Sequence, residues 1–342
     1  ESYWKKEITE QELKNAAATI RKSNWELQKS KGVTFIPSND FSYYDQILGL
    51  SCMVGNIPSR FNFSGGNIDL DTYFKVARGN TDDSNNNQCA SEMTKWFDTN
   101  YHYIVPEFND STTFSLSDNS IFDQYSEAKQ LGIETRPVLV GPVTYLKIGK
   151  ITSGTKNKNN LLEDLLVVYK EVLIKLESLG AKDIQIDEPI AVLDLSQEEK
   201  DALSKAYKVL SNSSDLNIHL TTYFGDLRDN KETIYNLPVQ SIHLDAVRGF
   251  NTIEIAINDF PRDKQLSIGV VDGRNIWINN YKKSKEIIDQ AIAKLGKENV
   301  IISSSCSLLH TPVSLESETE LNADIKQWLA FASEKLGELK DL

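Results

Sequence analysis

The sequence is poor in sulfur and in imidazole: its 342 residues hold three cysteines, two methionines and four histidines. Cys52, Cys89 and Cys306 are odd in number and far apart, which argues against a disulfide framework and suits a reducing compartment, so a cytoplasmic protein is expected. His102, His219, His243 and His310 are equally scattered, and neither Cys-x2-Cys nor His-Glu-x-x-His occurs, so no local zinc motif is present. Positive charge is in deficit, with 37 Lys and Arg against 49 Asp and Glu and a net charge of -12. That balance argues against non-specific nucleic-acid binding, which needs a basic footprint. No apolar run approaches the roughly 20 residues that span a bilayer. No charged segment followed by an apolar one opens the chain as a secretory signal would. The chain begins at Glu1 rather than methionine, so an upstream segment is expected. Gly-x-Ser-x-Gly and strand-linked Gly-x-Gly-x-x-Gly are missing, and Gly141 to Lys150 has the wrong glycine spacing for a phosphate loop.

What is present is ordinary globular composition, 40% hydrophobic and 25% charged. Thr9 and Glu12 form a capping box ahead of Leu13, Ala17, Ile20 and Leu27, so a leading helix ends near Gly32. Short apolar runs of strand type then recur at 33–36, 101–105, 135–140, 183–186, 217–222, 241–244, 266–271 and 299–304, each closed by a polar or turn-forming residue. Helical periodicity separates most of them, most clearly over 161–179 before Gly180 and again from Leu321 to Leu339. Eight strands alternating with helices predict an α/β fold, a (β/α)8 TIM-type barrel, with an open doubly wound sheet as the alternative. Residues 1–32 form the leading helix, and 37–100 form a long helical and loop insertion with a mobile polar loop at 79–89. No repeat or linker divides the chain, so 1–342 reads as a single domain.

In such barrels the site lies at the C-terminal strand ends, here Ser38, Asn39, Asp40, Glu107, Asp187, Glu188, Thr222, Tyr223, Asp245, Asp272, Arg274, Ser305 and Cys306. Asp187-Glu188-Pro189 is the most enzyme-like group. Neighbouring strand residues point to opposite faces, so at most one of the two carboxylates enters the barrel. With Glu107 or Asp245 it would make a glycosidase-like pair; otherwise it ties loops together at the barrel mouth. Lys95 lies in Met93-Thr94-Lys95-Trp96-Phe97, where Met93, Trp96 and Phe97 fit one face of a short helix. Its ammonium is then either solvated or set at a cleft rim to meet an anion.

Glu92-Met-Thr-Lys-Trp-Phe-Asp-Thr-Asn-Tyr-His-Tyr-Ile-Val-Pro-Glu-Phe108 resembles the N-terminal half of the cobalamin-independent methionine synthases, the 5-methyltetrahydropteroyltriglutamate-homocysteine methyltransferases. So, in family order, do Pro37 to Phe41, Gly141 to Tyr145, Ile186 to Pro189, Leu220 to Phe224, His243 to Asp245, Asp272 to Trp277 and Ser304 to His310. The resemblance implies the first of two facing (β/α)8 barrels in a methionine-forming, amino-acid biosynthetic enzyme that uses no cobalamin. The catalytic zinc barrel would be absent from this chain and would be its partner. It also implies that Lys95 helps hold the polyglutamate tail of the folate, and that Glu107, Asp187, Glu188, Thr222, Asp245 and Cys306 face the cleft between barrels. If Leu220-Thr221-Thr222 stands in the place of the zinc barrel's His-x-Cys, with Asp245 and Cys306 at two other ligand places, one carboxylate and one thiol make a poor zinc site, so no metal and no catalytic residue are expected in this chain. An Arg-Glu-Leu-Lys motif of the family is missing, and Gln11 to Lys14 is too far downstream to replace it.

Overall fold

The capping box forms as expected. Glu12 N–H donates to Thr9 Oγ1, Thr9 N–H donates to the Glu12 carboxylate at 2.7 Å, and helix α1 runs from Glu10–Ser30. Its Trp25 packs with Ile36, Ala128 and Ile133, and the indole N–H donates to Pro37 O at 3.0 Å, fastening the helix to the next strand. Val33 N–H still bonds back to Gln28 O, so that strand begins three residues later than the apolar run suggests. The structure, a computed structural model, describes residues 1–80, 88–155 and 157–342.

Along the chain follow β1 (Ile36–Ser38), α2 (Gln46–Met53), α3 (Leu70–Arg78), β2 (Met93–Lys95), β3 (His102–Ile104), β4 (Glu107–Phe108), α4 (Ser120–Gln130), β5 (Thr135–Val140), α5 (Pro142–Ile148), β6 (Lys150–Ile151), α6 (Lys158–Ser178) and β7 (Asp183–Asp187). Then come α7 (Gln197–Ser211), β8 (Asn217–Thr221), α8 (Lys231–Tyr235), β9 (Ser241–Asp245), α9 (Ile253–Asp259), β10 (Gln265–Val271), α10 (Tyr281–Leu295), β11 (Val300–Ser304), α11 (Ala323–Lys326) and α12 (Ala332–Asp341). None of the described helices is long and apolar enough to cross a membrane.

Seven strands pair in parallel in the order β1-β5-β7-β8-β9-β10-β11. One face of the sheet is apolar: Ile184, Ile186, Ile218, Leu220, Ile242 and Ile268 join the leucines of α6 and α7 in one large core. The other face is polar and concave. Arg136 on β5 stacks over Phe35 at 3.7 Å, and Phe35 lies 6.1 Å from the ring of His219 on β8, three strands along. His219 in turn bonds Asp183 and Ser241. Contacts across that many strands require the sheet to curl, which gives an α/β fold with a curled parallel half-barrel.

One of the eight predicted strands, the second, does not join this sheet. Within the run at 101–105, His102–Ile104 form β3, which pairs antiparallel with β2 in a separate ribbon, while β1 bonds directly to β5. The helix expected over Met93 to Phe97 is likewise replaced by strand β2 and a turn with Phe97 at a φ of 53°. A six-residue connection closes a local hairpin at small entropic cost, and the ribbon satisfies the backbone groups that a helix would otherwise pair. Ile104 N–H then donates to Asp45 Oδ2 rather than to a sheet neighbour. The final amphipathic segment is also broken, because Leu329 bridges to Trp277 and Ala330 N–H bonds Ile276 O between α11 and α12. Of the predicted loop at 79–89, Asn80 and Gln88 pair antiparallel at its base, and 81–87 lie outside the described residues.

Candidate functional site

The β2–β3 hairpin lies across the C-terminal ends of the last four strands. Trp96 is buried edge-on against Phe97 and Tyr103. Phe97 reaches Phe224 beyond β8, with ring centroids 5.7 Å apart, and Phe224 and Tyr101 both pack on His310 beyond β11. At the tip, Arg274 beyond β10 donates to Asp98 Oδ1 at 2.7 Å and to Asp98 O at 2.9 Å, while Arg248 beyond β9 lies 3.5 Å from Oδ2. Arg274 also covers the face of Phe224. The turn is thus pinned by charge and by rings. No local pattern in the sequence marks Asp98, since its partners lie about 150 or more residues away in the chain.

Lys95 sits on β2 with its side chain exposed. Among the described residues no carboxylate pairs with it: Glu92 is held by Lys150 and Asp98 by the two arginines.

The strand-end groups have inward obligations. Glu107 is on β4, away from the main sheet, and takes a bidentate grip from Arg60 at 2.6 and 2.7 Å. Burial raises its pKa, but the Arg60 hydrogen bonds and charge outweigh that and leave it below the usual value. Asp187 accepts from Gln185 at 2.8 Å and Tyr223 at 3.2 Å, and burial pushes it up to about 6. Glu188 is 0% exposed and turns the other way. It accepts from Thr144 N–H at 2.8 Å, Thr144 Oγ1 at 2.5 Å and Val143 N–H at 3.3 Å, so it caps the start of α5, and burial raises it to about 7. Only glycine fits at position 141, where a Cβ would stand 2.1 Å from the Glu188 carboxyl carbon. Asp245 accepts from the N–H groups of Phe224, Val247 and Arg248 and is raised to about 6, again by burial. Thr222 donates its hydroxyl to His243 O at 2.7 Å. Asp187 and Glu188 therefore face opposite ways, and the hydrolytic pairing with Glu107 or Asp245 does not assemble: Glu107 is tied to Arg60 and Asp245 to three backbone amides.

Comparison with known proteins gives these positions a family. Residues 1–296 match the family model of the cobalamin-independent synthase N-terminal domain. The 5-methyltetrahydropteroyltriglutamate-homocysteine methyltransferase of Salinibacter ruber is 46% identical over 344 residues, covering 99% of this chain and 45% of that protein. Its counterpart in Parvibaculum lavamentivorans is 48% identical over 341 residues, covering 99% of this chain and 44% of that protein. The chain belongs to the cobalamin-independent synthase family. A B12-independent methionine synthase from Shewanella sp. W3-18-1, solved in complex with selenomethionine, shares the fold with a TM-score of 0.65 at 14% identity, covering 97% of this chain and 88% of that one. The present chain spans about 45% of the length of the curated relatives it matches.

Zinc does not fit the residues of this synthase domain. Leu220 is buried in the apolar core, the Thr222 hydroxyl is spent on a carbonyl, and Asp245 already accepts from three backbone amides. Burial pushes the Cys306 thiol up to about 12, so a metal there would have to displace its proton, and one carboxylate with one thiol makes a poor zinc set. Among the described residues no group of three or more His, Cys, Asp or Glu is placed to hold a metal.

Proposed function

We propose that this chain is the folate-tail-binding half of an enzyme that moves a methyl group from 5-methyltetrahydropteroyltri-L-glutamate to L-homocysteine, forming methionine. The reading is carried by the 42–48% identity to methyltransferases of that name across essentially the whole chain. In it, residues 1–342 are one α/β domain whose curled parallel sheet faces a second, zinc-bearing barrel supplied by the rest of the enzyme, and the protein works in the cytoplasm. The β2–β3 hairpin over the strand ends then forms part of the wall between the two.

Lys95 is the residue proposed to hold the tail. A γ-linked triglutamate is a flexible chain of carboxylates, and an ammonium on a mobile stem with three donors accepts it in many geometries. Lys95 is suited to this because it is exposed and unclaimed by any acid of the described chain. Asp187, Glu188, Thr222, Asp245 and Cys306 would shape the cleft without touching reacting atoms, and Glu107 would brace its edge through Arg60.

In the two-half enzyme, Lys95→Ala should raise KM for the triglutamylated folate about two- to five-fold, the worth of one exposed charge pair, with kcat unchanged. KM for the monoglutamyl folate should stay nearly constant. Equal KM values for the triglutamyl substrate would instead favour a purely structural module. Methionine formation by residues 1–342 alone would refute the division of labour.

A further inference from the structure

We propose that His102 is a second ligand for the same tail, forming with Lys95 a two-point clamp for successive carboxylates of a γ-linked oligoglutamate. This rests on the reading of Lys95 given above. The hydrogen bonds of the hairpin set the geometry. Trp96 N–H donates to Tyr101 O at 2.7 Å, and Val105 N–H donates to Glu92 O at 2.8 Å. Bonded and non-bonded pairs alternate along an antiparallel ladder, so Lys95 and His102, which are directly opposite, form a non-hydrogen-bonded pair. Such pairs bring their side chains closest, with Cβ atoms roughly 4.5–5.5 Å apart on one face. Both residues are exposed.

A lysine opposite a histidine is unfavourable when both are charged, unless an anion lies between them. Among the described residues none lies there. Glu92 is paired with Lys150, Asp98 with Arg274 and Arg248, and Asp45, the N-cap of α2, is buried and spent on backbone N–H groups.

The histidine is also oriented. Its Nδ1 lies 2.9 Å from Asn100 O, and a carbonyl only accepts, so Nδ1 carries a proton. Nε2 has no partner among the described residues, and it can meet a carboxylate only as a donor. The ring is thus held with Nε2 free to donate to a carboxylate beside the Lys95 ammonium.

The test is titration of the 342-residue protein with tri-γ-L-glutamate. The histidine ring signals are followed by NMR and the affinity by calorimetry. In the native protein the His102 signal should move on binding while those of the buried His219 and His243 stay in place. His102→Gln should weaken binding about two- to five-fold, while His102→Lys should keep the affinity. If Lys95→Ala weakens binding and His102→Gln does not change the affinity, the clamp is overturned and the lysine site stands. If Lys95→Ala has no effect, or the native protein does not bind the peptide, both readings fall.

Discussion

Replacing Glu188 by glutamine keeps the shape of the α5 cap and removes its titration. The native carboxyl is fully buried, and desolvation raises it from 4.5 to about 7 against the hydrogen bonds from Thr144 and Val143. Between those values the folded chain binds more protons than the unfolded one. The stability contributed by the protonated group is therefore fully present below pH 4.5 and is lost as pH rises through about 7. At about 1.4 kcal/mol per pH unit, the native protein should lose about 2–3 kcal/mol more than Glu188→Gln between pH 5 and pH 8. Asp45, Asp187 and Asp245, each raised to about 6, titrate in both proteins and cancel in the difference. Urea unfolding of both proteins at the two pH values reads the quantity directly. Parallel pH dependence would refute the claim that Glu188 is a desolvated cap.

Trp96→Ala should cost about 3–5 kcal/mol in denaturant unfolding, because the ring is 1% exposed beneath the hairpin. A loss under about 1 kcal/mol would mean the hairpin is not packed as described. Asp98→Asn should leave the fold intact and speed amide exchange over 96–101 by a few-fold, since the pairs it breaks are half-exposed and worth about 1 kcal/mol or less. Among the thiols, Cys89 is exposed, whereas Cys52 and Cys306 are buried and pushed well up, so a disulfide reagent should titrate one thiol quickly and two more only on unfolding. Zinc retained through dialysis and lost on Cys306→Ser would contradict the protonated thiol.

The parallel strands were legible because most are largely buried and each reads as a short apolar run with a polar end. Their partners were not. The run at 101–105 has the same composition as the others, yet its hydrogen bonds go to β2, since a strand's neighbours are fixed by loop closure and not by its own residues. Met93, Trp96 and Phe97 fit a helix face, and the alternation of exposed Lys95 with buried Trp96 fits a strand equally; five residues are too few to separate the two periods. Alternation did give the right geometry at Asp187 and Glu188, one inward and one toward a helix. Asp45 and Arg60 escaped notice because their partners, Ile104 and Glu107, come from later segments that no local pattern connects to them.

The two halves of the site differ in kind. At the strand ends, Asp187, Glu188, Asp245 and Cys306 are buried and raised toward neutrality, and each is satisfied by neighbours within the protein. Groups so committed hold a surface in shape. On the hairpin the balance reverses: Lys95 and His102 are exposed, adjacent and unclaimed by any carboxylate among the described residues. On the proposed reading, this half of the enzyme contributes charge presentation to a mobile anion, and its strand-end carboxylates serve the framework that carries the hairpin.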